Sequence, residues 1–272
     1  KSHSGSVNAT TAHYCWPEDL GAELLPMLAA RKTPDYDPYS HPILADIDDD
    51  DRKALANEPM TLTWFEVIER GDRFATDCGL TLWNAKKAPM VAVYLRAVDN
   101  LSHRMWSYNG VVDNTYAYTD VLLGELLAAA GESATIVLVS DHGWNYDTVV
   151  DASTAKRVPG PLFAHNHAPP GVMILKGPDV VAGEPATGAE LPHVLDIAPT
   201  VLALYGLPPS VAMQGHAWRS AFKAGSPAAL ERASTPSYGT YRPRWAALGD
   251  LRASEKGREE TVEMLRHLGY LD

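Results

Sequence analysis

The chain has 272 residues, 46% hydrophobic and 21% charged, enough for one large domain or two small ones with a substantial core. A formal net charge of -11 speaks against nucleic acid as a partner, because phosphate backbones attract clustered Lys and Arg. Phosphorylated small molecules remain open, since bound cations reverse a local field. Cys15 and Cys78 are too few for a disulfide framework or a Cys-based zinc site, and sequence leaves a single bridge between them undecided. No run of 18 or more apolar residues offers a membrane span, no signal peptide is visible, and the compartment is left open.

Up to about residue 60 the chain reads as irregular. "KTPDYDPYSHP" is turn-rich, with Pro34, Pro38 and Pro42 each interrupting a regular element. "DIDDDDRK", Asp46 to Lys53, crowds its carboxylates without EF-hand spacing, so a solvated loop or helix start outweighs a calcium or magnesium site. From Thr61, apolar residues at helical spacing predict a long helix. "APMVAVYLRAVD" predicts a strand over Met90 to Val98. "VVDNTYAYTDVLLGELLAAAG" predicts a helix stopping at Gly131, a C-terminal cap.

A strand over Ile136–Val139 follows, then a third over Val172–Leu175. "LPHVLDIAPTVLALYGLP" predicts a further helix, with Pro199 near its start and Gly206 at its end. From about Ser226 the chain turns polar and closes on a short helix in "EKGREETVEMLRHLGYLD". Alternating helices and nearly all-apolar strands predict an α/β fold, a mainly parallel sheet sandwiched between helices. Residues 1–225 are read as that domain and 226–272 as a polar tail.

Ligands of such sheets sit beyond the carboxyl ends of the strands. The first predicted strand ends in "VDNLSH", with Asp99 at its tip and His103 four residues on, a spacing that shares one face if the chain turns helical. The second ends in Asp141-His142-Gly143, and "FAHNHAPPG" places His165 and His167 just before the third. Taken singly, each has a plainer reading. Asp99 suits a helix cap, His103 a partly exposed helix position, and Asp141-His142-Gly143 a turn. Taken jointly, carboxylate and imidazole at neighbouring strand ends match the ligand mix of hydrolytic metal sites, and two clusters suit a two-metal phosphoryl-transfer centre.

In this order, "VYLRAVDNLSH", "VLVSDHGW", "HAPPGVMILKGP" and "VLDIAPTVLALYGLP" resemble the alkaline phosphatase superfamily. The nearest branch is the type I phosphodiesterase/nucleotide pyrophosphatase-like predicted phosphohydrolases, whose ending the closing "LRHLGYLD" also resembles. The likeness covers about Ala88 to Pro208 and the tail. It implies a metal-dependent phosphohydrolase of phosphate mono- or diesters with two divalent ions, zinc first and manganese as the alternative. By the resemblance, Asp99, His103 and His167 hold one ion, His167 preferred over His165 for standing four residues before Gly171. Asp141 and His142 hold the other.

His165, Trp144 and Asn145 are candidate substrate contacts, though Trp144 equally suits packing. Asp196 also matches an acidic family position but is read structurally, beside a helix N-terminus. The family further requires a strand-terminal Asp for the second ion and a Thr or Ser nucleophile, and neither stands in the first sixty residues. Thr10 and Thr11 of "NATTAH" lack the context. The expectation is therefore a domain lacking its N-terminal portion, completed by a separate fragment or acting as a homo-oligomer. The alternative is a non-catalytic metal-binding or interaction domain that has lost its nucleophile.

Overall fold

In the computed structural model the described residues are 24, 37–144, 168–183 and 191–239. They divide between two compact units. The first takes residues up to Ala129, and the second takes 130–144, 168–183 and 191–239.

In the first unit, 3-10 turns over Pro38–Ser40 and Pro42–Leu44 lead into helix α1, Asp49–Ala56. The acidic run is a helix start. Asp48 caps α1 by accepting from the N–H groups of Asp50 and Asp51, leaving Asp49 and Asp50 in solvent. Asp51 departs from the solvated reading: it is buried and accepts from the Asn109 N–H. The predicted long helix is α2, Pro59–Asn84. Its buried stripe runs Thr61, Phe65, Ile68, Asp72, Thr76, Gly79, the three- and four-residue steps of one helix face. His41 packs edge-on against Phe65 and Tyr118 and meets Glu69 at 3.2 Å, holding the 3-10 turns to α2.

The expected strand Met90–Val98 is corrected by the structure. Residues 90–96 form no regular element, although exposure alternates from Val91 to Leu95; they pair with no strand among the described residues, and helix α3, Ala97–Met105, takes over the end of the stretch. Val91 and Val93 instead pack beside Gly79 of α2. The β-type pattern reflects one-sided burial against a helix as well as it does a sheet. Helix α4, Val111–Ala130, ends as predicted on Gly131, whose φ of +70° suits glycine at a helix C-terminus. Arg73 of α2 reaches both Asp77 and the Glu125 carboxylate of α4, and Trp83 donates to the Ala129 carbonyl, so α2 and α4 are tied at two levels. The core of this unit is Ile43, Leu44, Leu55, Phe65, Ala97, Leu101, Met105 and Val111, all without solvent exposure.

In the second unit, β1 (Ile136–Val139) pairs with β2 (Met173–Lys176) in the register Ile136↔Lys176 and Val139↔Met173. The pairing is antiparallel, so the one sheet among the described residues departs from the expected parallel order; α/β content stands. The ladder continues past both strands, with Ser140 N–H donating to Val172 O (2.9 Å), a bridge between His142 and Pro170, and Gly143 N–H donating to Pro169 O (2.8 Å). Gly171 is required there, because a Cβ at that point would collide with the Ser140 carbonyl.

Helix α5, Ile197–Leu204, follows a 3-10 turn over Val194–Asp196 and ends on Gly206 at φ +67°. Ala203, Phe222 and Ala228 form a small core, with Leu175 and Val180 packed against it. The terminal helix expected in "EKGREETVEMLRHLGYLD" and Cys15 lie outside the described residues. Among the described residues no helix is long and apolar enough to cross a membrane.

Candidate metal centre

Asp99 is the third residue of α3 and His103 stands one turn later. Ala97, Leu101 and Met105 turn the apolar face of this short helix into the core, and His103 is carried inside with them, fully buried. The Asp99 side chain keeps about a quarter of its surface, at 24%. His103 Nε2 and Asp99 Oδ1 are 3.5 Å apart. Two donors of one tetrahedral ion with bonds of about 2.0–2.1 Å stand roughly 3.3 Å apart, so nitrogen and oxygen already converge at ligand spacing. Asn100 donates to the Arg96 carbonyl and approaches Asp99 Oδ2 at 3.5 Å, steadying that carboxylate from the side.

The start of α3 is fixed from outside the helix. Its N-cap position, Arg96, supplies no capping side chain. Asp72, from the buried stripe of α2, accepts from Arg96 N–H with both oxygens at 3.0 Å and from Ala97 N–H at 2.8 Å. Burial pushes the Asp72 carboxyl above its ordinary range, against the pull of those two N–H groups and of the Arg96 charge. Sequence reasoning missed this residue. The signal was an acid in step with the apolar positions Phe65 and Ile68, where a carboxylate is costly unless something accounts for it.

The second pair stands just past β1. Asp141 is 79% exposed and His142 25% exposed, with His142 Nε2 and Asp141 Oδ1 3.6 Å apart. His142 Nδ1 lies 3.0 Å from the Gly143 carbonyl oxygen. A carbonyl only accepts, so Nδ1 donates to it, and Nε2 is the ring nitrogen that faces the carboxylate, with a lone pair there in the neutral ring. Two lone pairs at that separation repel unless a cation, proton or metal, stands with them. A backbone carbonyl on one ring nitrogen, with the other turned toward a carboxylate, is also a common setting of a metal-bound imidazole. The donor chemistry of both pairs therefore fits a divalent ion.

Each pair contributes two donors. Among the described residues no three His, Cys, Asp or Glu side chains converge on a common point. His165, His167 and Asn145 lie outside the described residues. Trp144 stands with its ring 6.1 Å from that of His142 and nearly perpendicular, at 83°, which makes it a neighbour of the donor pair.

Asp196 is structural, as its place before a helix suggested. It accepts from His193 N–H at 2.8 Å, closing a capping box, and from His216 N–H at 2.7 Å. Burial raises its carboxyl, but those two N–H groups and the nearby His216 and His193 rings outweigh that and hold it below its ordinary value.

A family model described as type I phosphodiesterase / nucleotide pyrophosphatase matches residues 8–154. That span holds Asp99, His103, Asp141 and His142 and excludes His167 and Asp196. It also reaches far in front of Ala88, where the resemblance in the sequence was first visible. Neither the curated proteins nor the solved structures include a match to this chain.

Proposed function

Since the chain belongs to the type I phosphodiesterase / nucleotide pyrophosphatase family, we propose that it is a metal-dependent phosphohydrolase cleaving a mono- or diester of a small phosphorylated substrate. On this reading the fold is alkaline phosphatase-like, with residues 1–225 its domain and 226–272 a tail. Asp99 and His103, joined by His167, would hold one divalent ion, and Asp141 with His142 a second. Zinc is the first choice for the mixed nitrogen and oxygen donors, manganese the alternative. Bound ions of this kind neutralise phosphoryl charge and lower the pKa of coordinated water.

The observation that carries the proposal is the placement of the His142 ring, with Nδ1 3.0 Å from Gly143 O and Nε2 3.6 Å from Asp141 Oδ1. The chain's own residues orient these donors: Gly143 O and the β1–β2 ladder for His142, α3 for Asp99 and His103. Trp144, Asn145 and His165 would contact substrate. The nucleophile is unassigned.

The test is metal analysis of the purified chain, with zinc and manganese titrations, and assays on p-nitrophenyl phosphate and bis-p-nitrophenyl phosphate. Bound metal with turnover, both weakened by Asp99→Asn and by His142→Ala, supports the proposal. No metal binding above 1 mM would refute it.

A second reading has its own observation. Among the described residues, 37–96 form helices and an irregular stretch, without a strand leading to a Thr or Ser beside either pair. We infer as the alternative a metal-binding or interaction domain without turnover of its own. Stoichiometric metal with no turnover selects this reading.

A further inference from the structure

We propose that Asp72 is the positioning residue of the α3 donor pair, fixing from α2 where Asp99 and His103 stand; this rests on the reading of that pair as metal ligands. The first N–H groups of a helix have no partners within it and need a cap. The α3 N-cap, Arg96, provides none, and the position is part-buried, so water is a poor substitute. One carboxylate, 1% exposed, covers both Arg96 N–H and Ala97 N–H across a gap of 24 and 25 residues. Asp99 follows Ala97 by two residues on the same rigid turn, and His103 by one turn more.

Ligand geometry must hold to about 0.5 Å for full affinity. A helix that frays at its first turn moves Asp99 before it moves anything in the core. Asp72 touches neither donor, so its effect passes through the backbone of α3. Its neighbour Arg73 supplies the contrast: it ties α2 to α4 through Glu125 and leaves the α3 N-terminus alone.

The experiment is a cobalt(II) titration of the full chain in a His142→Ala background, so that the α3 pair reports alone, following affinity and the visible absorption of the ion. Thermal melts accompany each variant. Asp72→Asn keeps one acceptor of two and should weaken cobalt about 10- to 100-fold with a changed spectrum, in the range for residues that orient metal ligands. Asp99→Asn should weaken it at least as much. Arg73→Ala should lower the melting temperature yet leave affinity and spectrum unchanged. Should Asp72→Asn not fold, Asp72→Glu, which keeps the charge and shifts the oxygens by one methylene, is read in its place with the same expectation.

Unchanged cobalt binding in the Asp72 variant while Asp99→Asn is weakened overturns the positioning role and leaves the ligand reading intact. Unchanged binding in both overturns the ligand reading and this inference with it. Equal weakening by Arg73→Ala overturns the inference in favour of general destabilisation.

Discussion

Replacing Gly171 by alanine probes how the Asp141–His142 pair is held. A Cβ on residue 171 would stand 2.7 Å from the Ser140 carbonyl carbon and 3.0 Å from that of Asp141, with the Ser140 oxygen nearer still. Ordinary carbon contacts are about 3.5–4.0 Å, so the two segments must part by roughly 1 Å. The bonds Ser140 N–H to Val172 O, at 2.9 Å, and Gly143 N–H to Pro169 O, at 2.8 Å, cannot survive that shift. Each contributes about 0.5–1.5 kcal/mol net, giving an expected loss of about 1–3 kcal/mol for the pair.

The local assay is amide hydrogen exchange at Ser140 and Gly143, where protection should fall roughly 5- to 150-fold. The same shift displaces the Gly143 carbonyl that meets His142 Nδ1, so on the proposed metal reading zinc affinity should fall with protection. Wild-type protection at both amides in Gly171→Ala would refute the argument that close approach requires glycine here.

Leu101→Ala should cost about 2–5 kcal/mol in denaturant unfolding, since Leu101 is fully buried in the face of α3 that seats His103; a loss below 1 kcal/mol would mean that this face packs loosely. The Asp196 carboxyl is held below its ordinary value of 3.8, so its folded form favours the ionised state. Its contribution to stability is then present above pH 3.8 and lost as pH falls through the lower folded value. Asp196→Asn should flatten that acid limb in a pH series of unfolding midpoints, and an unaltered limb would contradict the assignment.

Local signals carried far in this chain. Gly131 announced the end of α4, and the apolar runs announced β1 and β2, because caps and short-range hydrophobic patterns act within a few residues. The four-residue step from Asp99 to His103 and the adjacency of Asp141 and His142 likewise foretold that each Asp would stand beside its His, since a helical turn or one peptide bond sets those distances. Asp196 was legible in the same way as a structural carboxylate beside a helix N-terminus.

What sequence could not decide depends on partners far along the chain. Val91 and Val93 read as strand residues, yet their one-sided burial is met by Gly79 of α2, and the run yields to a helix where Asp72 caps Arg96 and Ala97. The direction of β2 relative to β1 is invisible in its composition, because an apolar run is equally content in either orientation. Spacing along a chain encodes what neighbours in sequence can do for each other. The cap that reaches from Asp72 to Ala97 exists only once α2 and α3 have packed.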